Sequence, residues 1–85
     1  MYRIQYAKKA IKDIEKLKAT GLAEKAKAII AVIKDNPYQN PPEYEKLKGM
    51  TSTYSRRINR QHRLVYVVLD KEKIIRILRM WTHYE

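Results

Sequence analysis

Apolar positions recur at helical spacing in the first half of the chain and gather into short β-prone runs in the second. Ala7, Ala10, Ile11, Ile14 and Leu17 fall three or four residues apart, with lysines and acids between them, and predict an amphipathic helix. Leu22, Ala26, Ile29, Ile30 and Ile33 predict a second. Gly21 punctuates the two. Asn36-Pro37 ends the second, because a residue preceding proline is pushed out of the helical region. Two such helices with a short joint form a helical hairpin. Ahead of them, Tyr2 to Tyr6 reads as a short opening strand.

From Tyr38 to Gly49 the periodicity lapses. With Pro37 at its head, this stretch holds the three prolines of the chain. It is expected to be an ordered loop that delivers Tyr44-Glu45-Lys46-Leu47-Lys48-Gly49 to the next element. Beyond Gly49, strands are predicted from Tyr54 to Asn59, from Arg63 to Leu69 and from Ile74 to Trp81, with Asp70-Lys71-Glu72 as a turn. The short connections imply an antiparallel meander. The expected fold class is α+β: an N-terminal strand, a two-helix hairpin, then a meander sheet. Residues 1–85 are read as a single domain without internal repeats. Two helices cover one face of such a sheet and leave the other partly open.

Charge changes this picture. Nineteen Lys plus Arg stand against nine Asp plus Glu, a formal net charge of +10 in 85 residues. Such an excess favours a polyanionic partner over a merely soluble surface. The lysines crowd the predicted helices, where they can be an ordinary solvated face. Six of the seven arginines (Arg56, Arg57, Arg60, Arg63, Arg76 and Arg79) fall in the strand-forming half. There their planar forks suit a bidentate grip on phosphate. No apolar run approaches the roughly 20 residues that span a bilayer, and Met1 to Ala10 lack the apolar stretch of a signal peptide. No membrane partner and a cytoplasmic location are therefore expected.

Several chemistries drop out. There is no cysteine, and Gly21 and Gly49 are the only glycines, so no thiol nucleophile and no glycine-rich phosphate loop is available. His62 and His83 stand far apart with no adjacent carboxylate pair, so no metal-ligand spacing exists. No cofactor is expected. Cleavage of RNA through its own 2′-hydroxyl asks less of a protein: a base, an acid for the leaving oxygen, and cations for the charge that builds on phosphorus. Glu45, Lys48, Arg57, Arg63, His83 and Tyr84 could fill those roles. Each also has an ordinary reading: a loop acid, solvent-facing strand residues, a frayed tail. A three-residue hairpin loop would set Arg57 and Arg63 side by side on one face, whereas a two-residue loop would not. Like charges directly opposed are unfavourable without an anion, so such adjacency would itself hint at function.

The order of these residues carries a resemblance. Glu45-x-Leu47-Lys48, then Tyr54-Ser55-Arg56-Arg57-Ile58-Asn59-x-x-His62-Arg63-Leu64-Val65-Tyr66, then His83-Tyr84, closely resembles the YoeB/Txe toxins of the RelE superfamily. The resemblance spans the chain in length and element order and is densest from Glu45 to Tyr66. It implies a RelE-like fold and a ribosome-dependent endoribonuclease that cuts messenger RNA in the A site without metal. It further implies Glu45 as general base, His83 as general acid and Arg63 as the arginine on the scissile phosphate. Lys48 and Arg57 would support the RNA backbone, and Tyr84 would help position the substrate. Assignment of base and acid between Glu45 and His83 rests on coupled titration. The implied partners are the ribosome and messenger, a cognate antitoxin of the YefM/Axe kind, and a second copy in a homodimer.

Two departures are visible: Glu85 follows Tyr84, where family members commonly end, and Tyr54 stands where another aromatic, often Trp, is usual. Trp81 is read as a core or sheet residue. Two rival readings remain: a ParE-like relative that targets gyrase, and a non-catalytic nucleic-acid-binding module on the same fold.

Overall fold

A computed structural model describes residues 1–81. The elements run β1 (Arg3–Tyr6), α1 (Lys8–Ala19), α2 (Ala23–Asp35), β2 (Glu45–Lys46), β3 (Thr53–Arg57), β4 (Arg63–Leu69) and β5 (Ile74–Arg79). The α+β class is as the periodicity predicts. The five strands form one sheet in the order β1-β5-β4-β3-β2. β3, β4 and β5 are the antiparallel meander. β1 lies parallel to β5 at one edge, the pairing that needs a long crossover, here supplied by the helical hairpin. No helix among the described residues is long and apolar enough to cross a membrane.

α1 ends in a glycine stop. Gly21 has a φ of +75°, its N–H donates to the Lys18 carbonyl and the Leu22 N–H donates to the Leu17 carbonyl. These two bonds satisfy the last helical carbonyls and turn the chain into α2. The hairpin lays Ala10, Leu17, Ala26 and Ile33 over Leu64, Tyr66, Val68, Ile75 and Ile77, and all nine are buried. Burying large apolar side chains of this kind stabilises by about 1.5–3 kcal/mol each.

The α1 stripe differs from expectation at one position. Ile11 is 54% exposed, while Asp13 is only 2% exposed. The face that packs on the sheet runs through Ala10, Asp13, Ile14 and Leu17, so an acid occupies a core position that the apolar reading gave to Ile11.

The loop expectation between Tyr38 and Gly49 needs one correction. Glu45 and Lys46 form a two-residue edge strand, paired antiparallel with Ser55 and Tyr54 of β3. So short a strand has no periodicity to betray it; its partner defines it. The strand predicted to reach Asn59 stops at Arg57. The Asn59 side-chain oxygen accepts the N–H groups of Gln61 and His62, at 2.8 and 2.7 Å, and folds the chain into a turn instead.

Candidate functional site

Strand alternation sorts the arginines of β3 to opposite faces. Tyr54 and Arg56 point one way, Ser55 and Arg57 the other. Arg56 is 1% exposed. Its Nε donates to the Tyr66 hydroxyl at 3.0 Å, its Nη1 to the Pro42 carbonyl at 2.7 Å, and its Nη2 to the Pro37 and Gln39 carbonyls at 3.0 and 2.9 Å. The Tyr66 hydroxyl in turn donates to the Pro37 carbonyl at 2.9 Å. Burial pushes the Tyr66 phenol above its ordinary pKa, an effect the Arg56 guanidinium partly opposes. The Arg56 guanidinium also lies over the Tyr44 ring, 4.8 Å from its centroid. Each of the three guanidinium nitrogens thus donates to the 37–42 loop or to Tyr66. Arg56 holds that loop against the sheet and is unavailable to phosphate, contrary to the sequence reading of the arginines as one set. Tyr54 sits on the same side, its ring 5.6 to 5.8 Å from those of Tyr38, Tyr44 and Tyr66, in an aromatic packing cluster.

Arg79 is likewise committed. Its guanidinium bonds the Asp13 carboxylate at 2.9 and 3.3 Å, and Asp13 also accepts the Met80 N–H at 3.0 Å. These bonds tie the end of β5 to α1. Burial alone would raise the Asp13 pKa, but the Arg79 and Met80 hydrogen bonds and the Arg79 charge outweigh it and hold the carboxyl below its ordinary value. A depressed carboxylate pKa contributes stability that is present above the unfolded value, about 3.9, and is lost as pH falls through the folded value. Asp13→Asn is therefore expected to lose about 1–3 kcal/mol near neutrality, with the gap to the natural protein closing below roughly pH 3–4. Urea unfolding across pH checks this. A gap that persists unchanged into acid would remove the charge from the explanation.

What remains on the other face is a compact constellation. An open groove of about 650 Å³ is lined by Asn40, Pro42, Glu43, Tyr44, Glu45, Ser55, Arg57 and Arg63. β3 and β4 place Arg57 and Arg63 directly across from each other. The Ile58 N–H donates to the His62 carbonyl, so the tight part of this hairpin is the three residues Asn59-Arg60-Gln61, and its parity puts both arginines on one face. One row further along, Glu45 of β2 lies across from Ser55 of β3. Among the described residues, the side chains of Glu45, Arg57 and Arg63 have neither a hydrogen bond nor an ion pair. The register sets two arginines directly across from each other, with a glutamate one row along the same face, and leaves all three side chains uncommitted; like charges so opposed cost stability unless an anion joins them.

The structure thus brings together three of the six candidates. Lys48 is exposed in the turn after β2 and lines a separate depression with Lys46, Leu47 and Gly49 to Ser52. His83 and Tyr84, and with them Glu85, lie outside the described residues. Trp81, the last described residue, stacks its ring on that of buried His62, 3.7 Å between centroids, and His62 precedes Arg63 in sequence. Sequence reasoning missed Asn40, Pro42, Glu43, Tyr44 and Ser55 as groove residues. Only Ser55 carried a signal, since it stands two positions before Arg57 and so shares its face.

Residues 6–84 match the family described as YoeB-like toxin of bacterial type II toxin-antitoxin system. A Toxin YoeB from Synechocystis sp. is 37% identical over 65 residues, which cover 75% of this chain and 73% of that protein. A YoeB/ParE toxin from Agrobacterium tumefaciens superposes with a TM-score of 0.87 at 28% identity, covering 96% of this chain and 99% of that one. A YoeB from Staphylococcus aureus is 32% identical. It has been solved as a dimer (TM-score 0.84, 98% of each chain) and in a heterotetrameric complex with YefM (TM-score 0.81, 99% of each chain).

Proposed function

The chain belongs to the YoeB-like toxins of bacterial type II toxin-antitoxin systems, and from that premise we propose that it is a cytoplasmic endoribonuclease that cuts messenger RNA in the ribosomal A site. The observation that carries this reading is the Arg57–Arg63 pair, held face to face and uncommitted in the groove that Glu45 lines. A pair of this kind suits an anion whose charge grows during reaction. In-line attack of a 2′-hydroxyl on its own phosphodiester meets that description.

In this reaction the 2′-oxygen forms a bond to phosphorus and the bond from phosphorus to the 5′-oxygen breaks. Glu45 accepts the 2′-hydroxyl proton. Arg63, with Arg57 beside it, stabilises the charge on the equatorial oxygens. His83 returns a proton to the departing 5′-oxygen, and Tyr84 helps position the substrate. The products are a 2′,3′-cyclic phosphate and a 5′-hydroxyl, and the chemistry requires no metal. Lys48, outside the groove, supports the RNA backbone further along its path.

The partners follow from the same premise. The YefM complex of the S. aureus relative supports an antitoxin of that kind, whose acidic, partly apolar segment suits the +10 surface and covers the groove. The dimer of that relative supports self-association of this chain when the antitoxin is absent.

The test is messenger cleavage in a reconstituted translation reaction. Glu45→Gln, which keeps the size of the side chain and removes its basicity, is expected to lower A-site cutting by about 10²–10⁴-fold with folding intact. Free RNA is expected to be cut poorly, because the ribosome supplies part of the substrate geometry. Cutting that is indifferent to Glu45→Gln would take the role of base from Glu45, and a messenger left intact by the natural protein would leave the groove a shared scaffold and favour the ParE-like reading, for which gyrase supercoiling is the assay, or a plain binding module. Efficient cutting of free RNA would remove the ribosome from the mechanism.

A further inference from the structure

Ser55 sits at the floor of the same groove, between the residues assigned to the base and the cations. It is 1% exposed, and its hydroxyl oxygen has no hydrogen-bond partner. Buried hydroxyls in folded proteins are paired in the large majority, because an unpaired one forfeits its hydration for nothing. The same strand obeys that rule two residues earlier. Thr53, on the same face and equally buried, donates its hydroxyl to the Thr51 carbonyl at 2.9 Å. Packing does not demand a hydroxyl at position 55 either: its neighbour across β4 is Val65, 1% exposed, and an apolar side chain would suit that contact.

The register gives the unpaired hydroxyl its meaning. Ser55 is the direct cross-strand neighbour of Glu45, so their Cβ atoms stand about 4.5–5.5 Å apart on one face. Arg57 follows two residues along on that face, with Arg63 opposite it. A phosphodiester whose 2′-oxygen meets Glu45 and whose non-bridging oxygens meet the two guanidiniums must pass over Ser55.

We propose that Ser55 is a further substrate-contacting residue, whose hydroxyl donates a hydrogen bond to a non-bridging oxygen of the scissile phosphate. This rests on the ribonuclease reading above and deepens it. The hydroxyl is covered in the free protein, so seating the RNA requires the serine to rotate and the groove side chains over it to part. The bond strengthens as negative charge moves onto that oxygen, so it acts more on the rate of cleavage than on association. The orphaned hydroxyl is a local loss of stability kept for the reaction.

The experiment compares the full-length natural protein, Ser55→Ala and Glu45→Gln in thermal unfolding, in ribosome association and in the reconstituted cleavage assay. Ser55→Ala is expected to melt at the same temperature or up to roughly 5 °C higher. It is expected to bind ribosomes as before and to cleave about 10- to 100-fold more slowly. Cleavage within twofold of the natural protein, in an assay where Glu45→Gln is dead, overturns the assignment of Ser55 and leaves the ribonuclease reading standing. A lower melting temperature together with lost activity also overturns it, because the hydroxyl would then be structural. A natural protein that leaves the messenger intact fails the ribonuclease reading itself, and the phosphate contact fails with it.

Discussion

Arg56→Ala is expected to cost about 3–5 kcal/mol, enough to leave the protein marginal or unfolded at 37 °C. Truncation empties the space of a large buried side chain. It also strips hydrogen bonds from the carbonyls of Pro37, Gln39 and Pro42 and from the Tyr66 hydroxyl; Tyr66 and Pro37 still pair with each other, which leaves the Gln39 and Pro42 carbonyls to find other partners. Each buried polar group left unpaired costs about 1–3 kcal/mol, and partial opening of the loop to water offsets some of the sum. A domain of this size has roughly 4–13 kcal/mol in total. Arg56→Lys is expected to recover only a small part, because one ammonium cannot reach four acceptors arranged around a planar fork. Urea unfolding followed by tryptophan fluorescence measures this directly, since Trp81 is the single tryptophan. Limited proteolysis between Pro37 and Tyr44 would separate global unfolding from release of the loop. A loss below about 0.5 kcal/mol, the range of ordinary surface substitutions, would show that the loop is held by something other than this guanidinium. Because the loop carries Asn40, Pro42, Glu43 and Tyr44 to the groove, activity should fall with it even where the fold survives.

The contrast between Arg56 and Arg57 marks where the sequence stopped being legible. Periodicity gave the helical hairpin and the meander strands because each owes its existence to its own spacing of apolar residues. Alternation also says that residues 54 and 56 oppose 55 and 57. It does not say which pair faces the helices; that is settled by Leu64, Tyr66 and Val68 across the sheet. The parallel pairing of β1 with β5 joins residues about 70 positions apart, and nothing local encodes it. Asp13 was hidden differently. Its spacing from Ala10 and Leu17 puts it on the buried face of α1, but an acid reads as solvent-facing until its partner Arg79, 66 residues away, is known. At the groove, Glu45 was legible only through resemblance, since its strand has two residues. The Arg57–Arg63 contact was conditional on the parity of a turn that Asn59 closes. Lys48 looked like a member of the set and stands apart, because β2 ends at Lys46 and the chain turns away.

Arg63→Ala is expected to lower A-site cleavage by about 10²–10³-fold while leaving the folded state as stable as before, or more stable by a few tenths of a kcal/mol. The two halves of this prediction have one cause. Arg63 and Arg57 are directly opposed, and among the described residues neither has a hydrogen bond or ion pair to relieve the repulsion. In the free protein each guanidinium raises the energy of the other, although solvent screens much of the effect at a groove open to water. When a phosphate passing into a phosphorane-like state lies between them, the same closeness turns to advantage. Two forks on opposed positions can then act on one growing charge. On the proposed ribonuclease reading, removing one arginine therefore relieves the free protein and injures the transition state. Arg57→Ala should behave alike with a smaller loss of rate. The double variant should lose less than the product of the single losses, because the two act on one anion. Urea midpoints and single-turnover cleavage on programmed ribosomes read the two halves separately. A clear drop in stability on removing Arg63 would mean that it is a structural residue like Arg56. Unchanged cleavage would mean that the pair faces some other anion, and the groove would lose its claim to the messenger.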